Sequence, residues 1–272
     1  MQLIIKHNKE LDYNYVHKHF IENKRQFDTL VSGFPELSSN LFLESDEKVR
    51  NGLIHNFFVK LYENNQSILE SKVQEIQEKV NILNISGLDN YFGFDLQNYI
   101  LHVSVGFLPF NNIDLYDNYI GLYFNLFDKE LDYEHLLIFL LTVRLISDRI
   151  ILNFPNYNLS TYNDIAKMLY LSIVSSKEDL KYKYKVYYNK KFDYFQVEYE
   201  GNEYSVREFF VKILNNYSSF ESLIGDKDTF EKILNEFDSK SLVYKYLSKS
   251  KNLHGEEVLA KDEKYCKTII IK

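Results

Sequence analysis

The sequence predicts an α+β protein in which a small mixed or antiparallel sheet packs on one long, buried central helix. The segment Tyr133–Asn153 is the longest apolar run in the 272-residue chain. Two stretches rich in β-branched and aromatic residues, Asn98–Gly106 and Asn118–Phe127, precede it and are predicted to be strands. Helical apolar spacing marks much of the remaining chain, so we expect helical N-terminal and C-terminal parts.

The central segment, YEHLLIFLLTVRLISDRIILN, is expected to form one helix that ends before Pro155. Leu136–Leu141 is apolar on every side, which predicts burial all round. Farther along, Arg144, Asp148 and Arg149 lie on one half of the helix. Arg144 and Asp148 are one turn apart and can form an ion pair. Because charges inside a membrane are costly, these residues argue for a buried core helix and against a membrane span.

The part before the first long strand is predicted to be mainly helical. Gln2–Lys6 can form a short strand, and Asp12 can cap a helix over Tyr13–Leu30 that Gly33–Pro35 then breaks. Two more helices are predicted from their apolar spacing and, for the first, from acidic residues at its start. They cover Asp46–Glu63 and Gln66–Leu83, and the second has a one-sided apolar stripe with a solvated back.

The last third of the chain is predicted to contain a hairpin among helices. The alternating segment Lys181–Glu200 is expected to fold as a β-hairpin with its turn at residues 190–191. In that register Lys183 faces Glu198, and apolar pairs fill the opposite face. Further predicted elements are a helix over Ser160–Ser176 capped by Ser160 or Thr161, helices over Val206–Tyr217, Lys227–Phe237 and Ser239–Lys249, and an edge strand at Thr268–Ile271.

We therefore divide the chain into three parts that form one compact unit. Residues 1–97 are the mainly helical part, residues 98–176 hold the strands and the central helix, and residues 177–272 hold the hairpin and further helices. A chain of this length with few prolines and glycines favours long elements and few linkers.

Composition excludes several classes of partner. The formal net charge is −7 and no segment is strongly basic, so we expect no nucleic-acid binding through the phosphates. A single cysteine, Cys266, rules out an internal disulfide and is typical of a reducing compartment. The first residues carry no signal-peptide pattern. We therefore expect a cytoplasmic protein that does not enter a membrane.

No catalytic or ligand-binding motif stands out. The glycines are scattered, and the patterns GxGxxG, GxSxG and CxxC are absent. His17 and His19 are two apart on a predicted helix and point to different faces, whereas His102 and His135 each stand alone. We therefore expect no metal and no cofactor.

The order of elements between Asn98 and Ser172 resembles the zincin fold of gluzincin-type metallopeptidases. In that family an edge strand borders the substrate cleft, the next helix carries HExxH, and a later helix carries a glutamate ligand, often as E-G-x-A. Aligned by element order, HExxH falls on Val143–Ser147, and the glutamate falls near Asn163 or Asp164. Because the two histidines and the catalytic glutamate are absent, the resemblance implies a peptidase-like scaffold that has lost its metal.

The residues at those positions argue against hydrolysis by zinc. Val143 and Ser147 fall on the apolar half of the helix, where a metal site would be packed shut. Arg144 would replace the general base, and a guanidinium stays protonated and cannot act as one. It can still hold a carboxylate.

Three functional hypotheses remain open. The first is a non-catalytic protein that binds a peptide or protein partner in a groove beside strand Asn118–Phe127. The second is a metal-independent enzyme that uses Arg144, Asp148 and Arg149 with a histidine for proton transfer. The third is an immunity-type or structural protein that recognises one partner by surface shape. The candidate binding residues are Arg144, Asp148, Arg149, Tyr119, Tyr123, His102 and His135.

Overall fold

The computed structural model describes most of the chain as two compact units. The described residues are 2–10, 12–14, 16, 34–81, 86–93, 100–107, 112–114, 119–123, 133–181, 195–239, 250–251, 257–258 and 267–271. The first unit comprises residues 1–83 and 96–140, and the second comprises residues 84–95 and 141–272. The fold class is α+β, as predicted. The predicted part boundaries at residues 97 and 176 stay a prediction.

A four-stranded mixed sheet forms the first unit's centre. Its strands are β1 (Gln2–His7), β2 (Ile100–Gly106), β3 (Asn112–Asp114) and β4 (Tyr119–Tyr123), in the order β1-β2-β4-β3. The β1, β2 and β4 strands run parallel, and β3 pairs antiparallel with β4. The predicted strands near residues 2–6, 98–106 and 118–127 are thus confirmed, whereas β3 was not predicted. A three-residue strand carries too little alternation to be recognised.

Besides the helical residues that follow β1, the described part of the first unit has three helices before β2. They are α1 (Pro35–Leu43), α2 (Glu47–Asn64) and α3 (Gln66–Asn81). Helix α2 begins where its acidic residues predicted, and the Asp46 side chain caps it by accepting from the Val49 backbone N–H at 3.0 Å. Pro35 takes the first position of α1, where proline is well tolerated, and the end of the helix that Gly33–Pro35 was predicted to break lies outside the described residues.

The role predicted for Asp12 is wrong. Lys9 and Glu10 are already helical, so Asp12 lies inside this helical segment and not at its N-cap. Its carboxylate is 4% exposed and accepts from the Tyr62 hydroxyl and the Phe107 backbone N–H, each at 2.8 Å. Asp12 therefore ties the N-terminal helical segment to α2 and to the end of β2. Residues 17–33, which hold most of the predicted Tyr13–Leu30 helix, lie outside the described residues.

The central helix, α5 (Tyr133–Asn153), has the predicted bounds. Every side chain from Leu136 to Ser147 is buried, which extends the predicted buried run by two turns. Residues 133–140 belong to the first unit and residues 141–153 to the second. Among the helices that the structure describes, none has both the length and the apolar character needed to cross a bilayer.

The second unit is built mainly from helices. They are α4 (Ser86–Phe92), the later part of α5, α6 (Leu159–Ser176), α7 (Glu178–Lys181), α8 (Val206–Asn215), α9 (Phe220–Gly225) and α10 (Lys227–Ser239). The helices predicted to start at Ser160, Val206 and Lys227 are confirmed. The predicted caps of the first are wrong, because its N-cap is Asn158. The helix predicted over Ser239–Lys249 lies, beyond Ser239, outside the described residues.

The predicted Lys181–Glu200 hairpin is wrong. Strand β5 (Phe195–Tyr199) turns at Glu200 and Gly201 into β6 (Asn202–Ser205), and its other edge pairs with β9 (Lys267–Ile271). Strands β6 and β9 occupy both edges of β5, which the predicted hairpin would have paired upstream, and residues 182–194, which hold the other predicted arm, lie outside the described residues. Gly201 has φ +74°, which glycine adopts without strain. The predicted strand at Thr268–Ile271 is confirmed at the sheet edge, and a two-stranded pair joins β7 (Ser250–Lys251) to β8 (Glu257–Val258).

Candidate functional site

Arg144 and Asp148 form the predicted ion pair inside the second unit. The Arg144 Nε donates to both carboxylate oxygens of Asp148 at 2.9 Å. The arginine side chain is 5% exposed and the aspartate side chain 26% exposed. Burial raises the pKa of the Asp148 carboxyl, and the Arg144 guanidinium lowers it by a smaller amount. Arg144 is buried whereas Asp148 is partly exposed, so the geometry offers a ligand little access to the guanidinium.

Arg149 also has a carboxylate partner in the second unit. Its Nε donates to both carboxylate oxygens of Glu221, at 2.9 and 3.1 Å, and its Nη2 donates to the same group. This forked pairing ties α5 to α9 and has the planar geometry that arginine favours with carboxylates. Arg144 and Arg149 therefore each form an ion pair within the fold, which is a structural role for both charges. A binding role for them stays a prediction.

The other predicted site residues belong to the first unit. His102 in β2 stands opposite Tyr119 of β4, and Gly106 stands opposite Tyr123. Because alternate residues of a strand share a face, these positions fall on one face of the sheet. His102 and His135 are each half-buried, and the side chains of Tyr119 and Tyr123 lie outside the described residues. Whether this set binds a ligand stays a prediction.

The strand that was expected to border a groove is not an edge strand. Strand β4 lies between β2 and β3, so its hydrogen-bonding edges face two neighbours. The groove predicted beside Asn118–Phe127 is therefore wrong. An edge strand is found instead at the other end of the sheet, where β1 pairs with β2 on one side. Within the described residues, no strand pairs with the opposite edge of β1.

A groove of about 420 Å³ lies between β1 and α3. Strand β1 contributes Ile5, Lys6 and His7, where Ile5 is buried and Lys6 is exposed. Helix α3 packs against β1 and supplies the other wall. The lining residues of α3 are Glu70, Val73, Gln74, Gln77 and Glu78. The groove thus has an apolar floor beside a polar helical wall. We call it the β1–α3 groove.

The buried residues of α3 determine which face of the helix forms the wall of the groove. Leu69 and Ile76 are almost fully buried, so the apolar stripe of α3 faces the core and turns the next face towards the groove. On that face the Gln66 amide donates to Glu70 at 2.8 Å, and the Gln74 amide donates to Glu78 at 3.1 Å. These i, i+4 bonds align the side chains in a ladder along the helix.

The end of the groove at His7 is fixed by the buried contacts of Asp12. The His7 ring lies 5.9 Å from the Tyr62 ring, and Tyr62 donates its hydroxyl to Asp12. Burial, the nearby Asp12 charge and this hydrogen bond all raise the pKa of Tyr62 far above its ordinary value, which keeps the phenol protonated as a donor. The C-terminal end of β1 therefore lies against a buried polar contact.

Nothing in the geometry of α5 provides a metal site. Val143 and Ser147, which fall at the histidine positions of HExxH, are 0% exposed, and the Ser147 hydroxyl donates to the Val143 carbonyl at 2.9 Å. Among the described residues, no three histidine, cysteine or acidic side chains are grouped closely enough to hold a metal ion. The resemblance to gluzincins stays a prediction.

Sequence reasoning missed the β1–α3 groove for a physical reason. The spacing of Glu70, Gln74 and Glu78 was visible as the solvated back of the predicted helix. Nothing in the sequence showed that β1 would stand at the end of the sheet, because that position depends on pairing with β2, about a hundred residues away.

No protein-family model matches the chain, and neither the curated proteins nor the solved structures contain a match to it.

Proposed function

We propose that this is a non-catalytic peptide- or protein-binding protein, and that it binds an extended segment of its partner in the β1–α3 groove. The observation that carries the proposal is the edge of β1 that no described strand pairs with, which lies beside a groove of about 420 Å³. Binding at this groove requires no descent from a metallopeptidase.

Strand addition suits this site because an edge strand presents a row of backbone donors and acceptors. An extended segment beside β1 would satisfy these groups through main-chain hydrogen bonds, which supply affinity without reading sequence. Strand β1 has six residues, so it spans about 20 Å at about 3.3 Å per residue. That length is enough to align a segment of ordinary strand length.

Helix α3 supplies the selectivity that backbone pairing lacks. Alternate side chains of an added strand point to the face that α3 covers, where Val73 and Ile5 offer apolar contact. The side chains between them point away, on the side of Lys6. A groove between an edge strand and a helix therefore contacts every second side chain of the segment that it binds, and those side chains determine its selectivity.

The geometry favours binding over the alternative of a metal-independent enzyme. That alternative uses Arg144, Asp148 and Arg149 in an open pocket. Arg144 is 4% exposed and paired with Asp148, and Arg149 is paired with Glu221. No comparable observation favours the immunity-type or structural alternative, in which the protein recognises one partner by surface shape.

Selection from a displayed library of random peptides of about ten residues, the length of a long strand, tests the proposal. We expect selected peptides to bind the full chain and to lose affinity when alternate backbone nitrogens are methylated. Methylation removes the donors that strand pairing needs. We also expect Val73→Arg, which fills the groove, to weaken binding about tenfold or more. The matched control is Val49→Arg, at a half-exposed valine of α2 outside the groove.

Three outcomes would overturn the proposal. One is a library that yields no binder. Another is a selected peptide whose alternately methylated form binds equally well. The third is self-association of the chain that blocks the groove, seen in light scattering and abolished by Val73→Arg, because a second copy would then be the occupant. Thermal unfolding by circular dichroism shows whether Val73→Arg is folded, and the methylated peptides test strand pairing without any change to the protein.

A further inference from the structure

We infer that the segment bound in the β1–α3 groove carries two basic side chains four residues apart, which pair with Glu70 and Glu78. This inference rests on the proposed function, because it specifies the occupant of the same groove. It follows from the arrangement of acceptors along α3.

The ladder on α3 presents its carboxylates in fixed places. Glu70 accepts from Gln66, and Glu78 accepts from Gln74, each through Oε1. An ionised carboxylate has about four lone-pair sites, so one amide donor leaves capacity for an incoming cation. The donors come from α3 itself, which holds each carboxylate against the helix and lowers the entropy lost when a partner binds.

The spacing of these two carboxylates matches an extended chain. Glu70 and Glu78 are eight residues apart on a helix and therefore about 12 Å apart along its axis, at about 1.5 Å per residue. Four residues of a strand span about 13 Å, at about 3.3 Å per residue. Residues four apart in a strand also point to the same face, so both basic side chains can reach α3 while the residue midway between them meets Val73.

The charges of the groove lining agree with a basic occupant. Glu70 and Glu78 stand on the helical wall, and Lys6 stands on β1. By alternation along β1, Lys6 points to the opposite face from Ile5 and His7, away from the face that α3 covers. The side chains that point to α3 therefore meet carboxylates, whereas those that point to the side of Lys6 meet an ammonium group. Basic residues are favoured at the first set of positions and disfavoured at the second.

Synthetic peptides with blocked ends test this inference directly. The peptide TKTVTKT has lysines four apart on one face, TETVTET reverses their charge, and TKTVKTT moves the second lysine to the other face. We expect TKTVTKT to bind about tenfold more tightly than TETVTET and about threefold more tightly than TKTVKTT, and both advantages to shrink as salt is raised. Fluorescence anisotropy of labelled peptides with the full chain measures these affinities.

Protein variants complete the test. Glu70→Gln together with Glu78→Gln should remove the preference for TKTVTKT, since glutamine keeps the shape and loses the charge. Glu63→Gln, at an exposed helical glutamate outside the groove, is the matched control and should leave the preference intact. The reversed pair, Glu70→Lys with Glu78→Lys, should prefer TETVTET.

The outcomes separate this inference from the proposed function. Equal binding of TKTVTKT and TETVTET, or a preference that survives the double glutamine variant, would overturn the charge pairing while strand addition stands. Equal binding of TKTVTKT and TKTVKTT would overturn the four-residue spacing. If none of the three peptides binds and the random library also yields no binder, the proposed function fails and this inference fails with it.

Discussion

The buried hydrogen bond between Asp12 and Tyr62 gives the sharpest stability prediction. Asp12→Ala removes the acceptor for two buried donors, the Tyr62 hydroxyl and the Phe107 N–H, which lie 2.8 Å from Oδ2. A buried donor left without its partner costs about 1–3 kcal/mol. The Tyr62 hydroxyl keeps a long contact of 3.5 Å to the Asn8 carbonyl. We therefore expect Asp12→Ala to lower the free energy of unfolding by about 3 kcal/mol in total.

A double-mutant cycle isolates the bond itself. A hydrogen bond to a charged group contributes about 1.5–3 kcal/mol, so Asp12→Ala and Tyr62→Phe should couple by about 2 kcal/mol. The assay is urea unfolding of the two single variants and the double variant. Asp46→Ala is the control, because Asp46 caps the far end of α2, about 24 Å from Tyr62 at 1.5 Å per residue, and should not couple with Tyr62→Phe.

A coupling energy near zero would refute this reasoning. It would mean that Asp12 and Tyr62 do not share a hydrogen bond, and that the C-terminal end of β1 does not rest on this contact. If the Asp12–Tyr62 cycle were as additive as the Asp46–Tyr62 control, Asp12 and Tyr62 would contribute to stability independently.

Three further predictions concern the same contacts and the central helix. Gly106→Ala should destabilise the protein by about 2 kcal/mol in urea unfolding, because its Cβ would lie 2.4 Å from Asp12 Oδ1, whereas Gly52→Ala, with nothing within 4 Å, should stabilise α2 by about 0.5–1 kcal/mol. The pKa of Tyr62 is raised above its ordinary value of 10.0, so the stability that its neutral form contributes is present below pH 10.0 and is lost as pH rises above it. Tyr62→Phe should therefore reduce the fall in melting temperature between neutral and alkaline pH. Asp148→Ala should cost about 3 kcal/mol in thermal or urea unfolding, because it leaves the Arg144 charge buried without this carboxylate; a loss under 0.5 kcal/mol would contradict that account.

The long elements could be predicted because their local pattern agrees with their final packing. Helix α5 contains the apolar run Leu136–Leu141, and α10 has a one-sided apolar stripe with Phe230, Ile233 and Leu234 buried. Short elements such as β3 and α9 have too few residues to show a period. Their existence depends on neighbours that the local sequence does not reveal.

Two errors arose from reading a local pattern without its distant partners. Strand β5 alternates as a hairpin arm should, but it pairs downstream with β6 and β9 instead of upstream. Aspartate is a residue type that commonly caps helices. Asp12 instead lies buried in the core, where it accepts hydrogen bonds from Tyr62 and Phe107, 50 and 95 residues away. A clear local signal that the sequence does contain is Ser205 with Glu208, which forms a capping box at the start of α8.

The candidate site was predicted only in part. The pairing of Arg144 with Asp148 was predicted from their one-turn separation and is confirmed, whereas the partner of Arg149 is Glu221, 72 residues away. The groove prediction was wrong in its location, because sheet order decides which strand is an edge. Sheet order follows from long-range pairing, and a one-dimensional pattern does not encode it.

Hydrogen–deuterium exchange of the β1 backbone amides, measured with and without a selected peptide, tests the central claim most directly. Strand addition predicts that amides within Gln2–His7 become protected when the peptide binds, because those on the edge away from β2 gain hydrogen-bond partners. Exchange of β4 should not change, because both of its edges already face strands. Binding that leaves β1 exchange unaltered, with protection elsewhere in the chain, would contradict the assignment of the groove.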